Sequence, residues 1–174
     1  MPGSIIVRGE SSNERAKIEG VVDDAFSDPR VRTLIRNLRK SAMFKLDLSC
    51  VADIDRVPVG YVVYFPVMIQ GNGRAVKAVH MSPIAVKDVP ERQGVGERLV
   101  RHGIQRAHSL GYEIVLVMGP ADYFSYFGFQ QASPFGIKAN LPVPDDHFMV
   151  HFIRPELAET STGVVLYPPG VLSV

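Results

Sequence analysis

Two glycines, Gly94 and Gly96, stand at the start of an amphipathic stretch, and this pair constrains the fold more than any other feature. Glycine lowers helix stability, so a helix that begins in this way must gain something else from the missing side chains. The first turn of a helix leaves N–H groups unpaired, and the helix dipole attracts negative charge there. A phosphate can contact that backbone closely only where no Cβ intervenes. The pair therefore indicates a phosphate-binding turn; a turn that merely packs tightly is the alternative.

Two common phosphate-binding motifs do not fit this turn. A Walker loop requires Gly-Lys-Ser/Thr, which the sequence lacks, and a dinucleotide fingerprint requires a third glycine where Leu99 stands. That fingerprint also follows the first strand of a βαβ unit, whereas this turn follows a predicted run of antiparallel strands. These residues therefore do not support a nucleotide bound by a Walker loop or a dinucleotide bound by that fingerprint.

The composition is that of one globular domain. The chain has 174 residues, 46% of them hydrophobic and 21% charged. Its net charge of +1 argues against a nucleic-acid partner, and no apolar stretch approaches the ~18 residues that span a bilayer. The single cysteine, Cys50, excludes an internal disulfide and suits a reducing compartment, and the first ten residues lack the apolar core of a signal peptide. We therefore expect a cytoplasmic domain without nucleic-acid or membrane partners.

Hydrophobic periodicity predicts an α/β protein with a mixed sheet. Strands are predicted at residues 4–8, 46–54, 59–69, 74–86, 113–119, 147–153 and 163–168. Helices are predicted after a cap at Ser11 or Ser12, from Pro29, from the glycine turn to a C-cap at Gly111, and over 121–126. Turn residues at 53–58 and 71–73 predict that the three strands over 46–86 form an antiparallel meander.

Two segments resemble the signature motifs of the GCN5-related N-acetyltransferases (GNAT). Residues 83–100, PIAVKDVPERQGVGERLV, resemble motif A, with its Gln/Arg-x-x-Gly-x-Gly/Ala signature after a strand. Residues 111–129, GYEIVLVMGPADYFSYFGF, resemble motif B, which leads from a strand through a short helix to a Gly-Phe pair. The order of elements over residues 5–153 is similar to that fold, most of all to a bacterial group with endings like YY-x-RFGF.

The resemblance implies a mixed, mostly antiparallel central sheet that is flanked by helices and has splayed fourth and fifth strands. It also implies an N-acetyltransferase domain over residues 1–154. Residues 155–174 would be a C-terminal extension of the same domain with a possible edge strand. Because an edge strand can pair with another chain, both a monomer and a homodimer are open.

Acetyl-coenzyme A is the co-substrate that the resemblance implies, bound in the cleft between the splayed strands. The backbone amides of motif A would hold its pyrophosphate, and the edge of the preceding strand would pair with its pantetheine arm. A backbone N–H of that strand would also polarise the thioester carbonyl. The cofactor-binding residues implied in this way are Ile84, Ala85, Val86, Arg92, Gln93, Gly94, Val95, Gly96, Glu97 and Phe124.

The implied reaction is direct attack of an amine on the acetyl carbonyl, which needs a base for the ammonium proton and an acid for the leaving thiolate. Two positions depart from the family pattern. Glu91 stands at the first position of the motif A signature, where the family has Gln or Arg. A carboxylate near the pyrophosphate is unfavourable unless its side chain turns away. Phe124 stands where the family often carries a tyrosine as the acid.

Three explanations are open: Tyr123 replaces that acid, with Tyr126 as the runner-up; water replaces it; or the domain no longer catalyses. His80, on the strand that leads into motif A, is the candidate base, because an unperturbed histidine titrates near neutral pH. A structural histidine is the alternative at that position.

Two functions from different classes fit this sequence. The first is an N-acetyltransferase that acts on a primary amine of a small molecule or a protein. The second is a non-catalytic acyl-coenzyme A-binding or regulatory domain of the same fold. No metal is expected, because the sequence has no HExxH motif and no paired cysteines.

Overall fold

The computed structural model describes residues 3–71 and 75–170. Its helices are α1 (Arg15–Ala25), α2 (Pro29–Lys40), α3 (Val95–Ser109) and α4 (Ala121–Ser125). Its strands are β1 (Ile5–Gly9), β2 (Ser49–Ile54), β3 (Val57–Gln70), β4 (Ala75–Val86), β5 (Ile114–Met118), β6 (Gln130–Gln131), β7 (Ile137–Ala139), β8 (Phe148–Phe152) and β9 (Gly163–Leu166). None of the helices in these described ranges is long and apolar enough to cross a membrane.

The strands form one mixed sheet in the order β1-β2-β3-β4-β5-β8-β6, with β9 added beside β3 and β7 beside β9. All pairs are antiparallel except β4–β5 and β7–β9. The predicted α/β class and the predicted meander of β2, β3 and β4 are therefore confirmed.

Helices cover both faces of the sheet and produce two apolar cores. Alternate residues of a strand point to opposite faces, so Val63 packs with α1 and α2 while Val62 packs with α3 and α4. The burial pattern of β2 and most of β3 is continuous rather than alternating, as expected for strands covered on both sides. We refer to these surfaces as the α1/α2 face and the α3/α4 face.

The start of the first helix differs from the prediction. Neither Ser11 nor Ser12 caps α1; Glu14 occupies the N-cap position, without a capping hydrogen bond from its side chain. The Glu14 carboxylate instead accepts hydrogen bonds from the Arg8 guanidinium, at 2.9 and 3.0 Å, and from the Ser11 backbone N–H. The ion pair with Arg8 explains why the chain enters the helix later than the serines suggested.

Three further boundaries differ from the predicted ones. Residues 46–48 form a short 3-10 turn, so β2 begins at Ser49. The predicted turn at 71–73 and the first residue of the predicted strand 74–86 fall partly outside the described residues. The last predicted strand is present as β9, but it pairs with β3 on one side and β7 on the other and is not a free edge. The division at 154/155 stays a prediction, and residues 171–174 lie outside the described part of the chain.

Gly103 allows α3 to lie close to the sheet, and this contact gives a testable prediction. A Cβ at Gly103 would lie 2.0 Å from Tyr64 Oη, and Tyr64 is fully buried with its hydroxyl donating to the Val100 carbonyl at 3.2 Å. We expect Gly103→Ala to lower the free energy of unfolding by about 1–3 kcal/mol, because the ring must move within a packed core.

Gly20→Ala in α1 is the matched control. Gly20 is exposed and a Cβ there would meet no atom within 4 Å, so alanine should raise the free energy of unfolding by about 0.5–1 kcal/mol through helix propensity alone. Urea denaturation of both variants measures the two effects. Equal effects in the two helices would contradict the close contact between Gly103 and Tyr64.

Candidate active site

The sheet opens between β4 and β5. These parallel strands pair at only three positions, from Ala78 opposite Ile114 to His80 opposite Leu116, and then separate. Beyond that point β4 contains a bulge: Tyr64 faces Met81 and Val62 faces Ile84, so two residues of β4 oppose one of β3. One of these two residues of β4 is Pro83, which has no N–H to donate to a neighbouring strand. The predicted splay of the fourth and fifth strands is confirmed.

A cavity of about 550 Å³ occupies this opening. Its walls come from both faces of the sheet, since Met118 packs with the α1/α2 core whereas its neighbour Val117 packs with the α3/α4 core. The full lining is Ala25, Phe26, Met81, Ser82, Pro83, Ile84, Val86, Val117, Met118, Gly119, Pro120, Tyr123 and Phe124. The cavity therefore connects one side of the sheet with the other.

The glycine turn borders a second cavity, of about 380 Å³, beside the first. Gly94 caps α3 with φ +85°, a left-handed conformation that favours glycine. A Cβ at Gly94 would meet no atom within 4 Å, so tight packing does not explain the glycine. The turn closes through the Val95 N–H on the Arg92 carbonyl, and the following N–H groups belong to the first turn of α3. Val86 and Tyr123 line both cavities, so the two cavities adjoin, and we refer to them together as the cleft.

Tyr123 bridges α4 and the start of α3. A Cβ at Gly96 would lie 2.8 Å from Tyr123 Oη, so the second glycine of the turn makes room for this hydroxyl. The side chain is 43% exposed, and burial together with the nearby Glu97 raises its pKa above the usual value for tyrosine. Tyr123 is therefore protonated at neutral pH and can donate a hydrogen bond into the cleft.

Phe124 faces the cavity from the buried side of α4. A Cβ at Gly119 would lie 2.4 Å from Phe124 Cε2, which places the ring directly over the backbone after β5. The ring also makes an edge contact with Tyr123, with 5.0 Å between the centroids. Phe124 thus supplies an apolar wall of the cavity, and its neighbour Tyr123 supplies a hydroxyl group.

Charged side chains around the turn are largely paired with each other. Arg92 forms an ion pair with Asp88, and Glu97 forms one with Arg101 at 3.0 Å. Glu91, which departs from the motif A pattern, is exposed in the same turn. Tyr126 is 66% exposed and lines the cavity at the glycine turn, where its Oη lies 3.5 Å from Glu97 Oε1.

His80 is not brought into the cleft. The ring is fully buried, Nδ1 shares a 2.8 Å hydrogen bond with Tyr167 Oη, and Nε2 has no partner among the described residues. Burial lowers the pKa of His80 to about 3, so the ring is neutral at physiological pH. A buried neutral ring beside Phe65 and Tyr167 fits a core position better than the role of base that the sequence suggested.

The burial of His80 predicts an acid-sensitive fold. Its pKa is lower in the folded state than the usual 6.5, so the unfolded chain binds a proton that the folded chain does not, and stability falls as pH decreases below about 6.5. Between pH 7 and pH 5 this one group should remove about 2 kcal/mol from the free energy of unfolding. Urea denaturation of wild type and His80→Gln at both pH values measures it. His80→Gln should lose about 2 kcal/mol less than wild type between pH 7 and pH 5. If both proteins lose the same free energy of unfolding, the assignment of this pH dependence to His80 is wrong.

The sequence missed the part of the cleft on the α1/α2 face. Ala25 and Phe26, at the end of α1, and Met118, at the end of β5, fit the apolar patterns of their elements and gave no functional signal. The bulge did leave a signal, because a proline inside a strand pattern marks an edge or a bulge. In the described ranges, no three His, Cys, Asp or Glu side chains are grouped so that they could hold a metal ion.

A mixed sheet opened between two parallel strands, with a phosphate-type turn at the mouth of the opening, defines an acyltransferase of the acetyltransferase fold. The comparisons with known proteins make this class specific. The model of the Acetyltransferase (GNAT) family matches residues 17–129, which is more than half of the chain. The chain belongs to this family and is an enzyme of the acyltransferase class.

The chain is similar to proteins from Escherichia coli and Brucella melitensis. The chain is 28% identical over 163 residues to the uncharacterized N-acetyltransferase YhbS of Escherichia coli, covering 94% of this chain and 96% of YhbS. A crystal structure of Escherichia coli YhbS in complex with CoA matches 98% of this chain and 93% of that one, with a TM-score of 0.88 and 26% identity. A GNAT family acetyltransferase from Brucella melitensis in complex with acetyl-CoA shares the fold, with a TM-score of 0.75, 21% identity and coverage of 97% and 98%.

Proposed function

We propose that the protein transfers an acetyl group from acetyl-coenzyme A to a primary amine by direct attack. The observation that carries this proposal is the pair of adjoining cavities that extends from the glycine turn at Gly94 to the opening between β4 and β5. Such a cleft suits a ligand with a phosphate at one end and a narrow extended arm. The CoA complex of YhbS supports the same choice of cofactor.

The cofactor would bind along the turn and the adjacent strand edge. The backbone N–H groups at positions 93, 94, 96 and 97 would face the pyrophosphate at the positive end of the α3 dipole, whereas those of Arg92 and Val95 already bond to backbone carbonyls within the turn. Residues 84–86 pair with β3 on one side, and on the other side β5 has already separated. The free edge of β4 can therefore hydrogen bond with the amides of the pantetheine arm, as an added strand would.

The proposed chemistry needs two proton transfers. The amine nitrogen bonds to the acetyl carbon, the C–S bond breaks, the amine loses a proton and the thiolate gains one. Tyr123 is the proposed acid, because it is the titratable side chain among the described residues that line the cavity in the opening. The same lining offers no carboxylate or imidazole, so we assign the amine proton to solvent water.

Acetyl-coenzyme A should stabilise the protein against heating. At a ligand concentration about 100 times Kd, linkage adds about 2.7 kcal/mol to the free energy of unfolding, which raises Tm by roughly 5–11 °C for a domain of this size. Differential scanning calorimetry measures the shift, and release of free thiol with a panel of amines then measures turnover. An unchanged Tm at millimolar acetyl-coenzyme A would overturn the proposal, whereas binding without turnover on any amine would favour the non-catalytic binding domain.

A further inference from the structure

The end of the cleft on the α1/α2 face is apolar. The cofactor side of the cleft lies next to the glycine turn on the α3/α4 face, so the acceptor must approach the thioester from the other side of the sheet. The walls there are Ala25 and Phe26, from the end of α1, and Met118, from the end of β5. None of these side chains carries a charge or donates a hydrogen bond, and only the face of the Phe26 ring can attract a cation.

The carboxylates next to this wall in the sequence are already paired with cations. Three aspartates flank Ala25 and Phe26, and each lies within salt-bridge distance of a lysine or arginine. The pairs are Asp23 with Arg32 (2.9 Å), Asp24 with Lys87 (3.4 Å) and Asp28 with Arg30 (2.7 Å). A further carboxylate near the lining in sequence, Asp122 on α4, is exposed and does not line the cavity. A second positive charge on the acceptor would therefore find no carboxylate in the cavity wall itself.

Such a wall discriminates between acceptors by the free energy of moving their far end from water onto an apolar surface. An apolar carbon chain gains free energy when it leaves water for this surface. An ammonium group at the same place would lose hydration, and the face of the Phe26 ring would return only part of that free energy. The acceptor preference therefore depends on the group that lies beyond the reacting nitrogen.

We propose that the acceptor is a small monoamine on an apolar carbon chain, and that the Ala25–Phe26–Met118 wall excludes amines with a second positive charge. This inference rests on the proposed function and names the substrate class of the same site. Phe26 is the specificity-determining residue, because it supplies the largest side chain of the wall.

The test compares two acceptors of nearly equal length. Hexylamine ends in a methyl group where 1,5-diaminopentane carries a second ammonium group, and both present the same primary amine to the thioester. With acetyl-coenzyme A as donor, kcat/KM measured by thiol release should be at least about 100-fold higher for hexylamine. Equal values, or a preference for the diamine, would overturn the inference.

Two substitutions of the same residue locate the effect. Phe26→Glu introduces a carboxylate into the wall and should reduce the preference for hexylamine by about 10-fold or more, mainly through a lower KM for the diamine. Phe26→Leu keeps the wall apolar and should retain the preference. If both variants discriminate as wild type does, the wall does not set specificity and the inference is wrong.

The outcomes separate this inference from the proposed function. The acetyl-coenzyme A shift in Tm reports the cofactor side and confirms that each Phe26 variant is folded. If cofactor binds and other amines react while hexylamine does not, the substrate class is wrong and the proposed function stands. If no amine reacts, or no cofactor binds, both proposals fail.

Discussion

Replacing Tyr123 by phenylalanine is expected to lower kcat by at least about 100-fold and to leave Kd for acetyl-coenzyme A nearly unchanged. General-acid assistance contributes 10²- to 10⁴-fold to such reactions, and phenylalanine has no proton to give. The hydroxyl of Tyr123 is the polar group that α4 directs toward Gly96 and the cleft, while the neighbouring Phe124 supplies only hydrocarbon. Calorimetric titration and steady-state kinetics on a reactive amine measure the two quantities.

Two further observations distinguish a proton donor from a packing role. Because burial and Glu97 raise the pKa of Tyr123, the wild-type rate should fall only at alkaline pH, when the hydroxyl ionises, and the Phe variant should lose this fall. Tyr126→Phe is the matched control: Tyr126 lines the cavity at the glycine turn but not the opening between β4 and β5, so kcat should change little. Near-normal turnover of Tyr123→Phe would make water the acid.

Gly94→Asp is expected to weaken acetyl-coenzyme A binding by at least about 100-fold and to abolish the ligand-induced rise in Tm. An aspartate there places a negative charge against the pyrophosphate, and like charges a few ångströms apart near a protein surface repel by several kcal/mol. Its side chain would also occupy the open space where the structure has no atom within 4 Å of a Cβ.

Gly111→Asp is the control for strain and charge. Gly111 has φ +88°, close to the +85° of Gly94, and a Cβ there would likewise meet no atom within 4 Å, but it follows the opposite end of α3. Both variants should be less stable than wild type, since each forces a side chain into the left-handed region. Only the variant at position 94 should lose the cofactor. A similar loss in both would mean that general destabilisation, not the phosphate site, explains the result.

The sequence predicted the cofactor side of the site better than the acceptor side. Gly94 adopts a left-handed backbone conformation, and Gly96 lies close to the Tyr123 hydroxyl. Each requirement excludes most side chains, so a single sequence is enough to make the two glycines informative. Phe26 and Met118 are not informative in the same way. An apolar residue at helical or strand spacing looks the same whether it fills a core or lines a cleft, and only the splay of β4 and β5 separates the two cases.

His80 shows why a titratable residue on the right strand is not enough. The strand was predicted correctly, yet the side chain points into the core beside Phe65 and Tyr167. Tyr167 follows β9, and its backbone is held by Asn140 through hydrogen bonds of 2.9 and 3.1 Å, so the partner of His80 comes from a distant part of the chain. Local periodicity carries no information about such a long-range contact, and a shift in pKa that depends on burial cannot be predicted before the burial is known.

The opening through the sheet has a consequence for the order of events. In a site that opens on one face of a sheet only, both reactants use the same entrance. The second reactant then enters beside the first or after the first has left. Here the walls belong to both faces, with Val117 on one and Met118 on the other. On the proposed assignment, donor and acceptor would occupy the protein together, each arriving from its own side. Coenzyme A and the acetylated product would then depart in opposite directions, so that neither product obstructs the exit of the other.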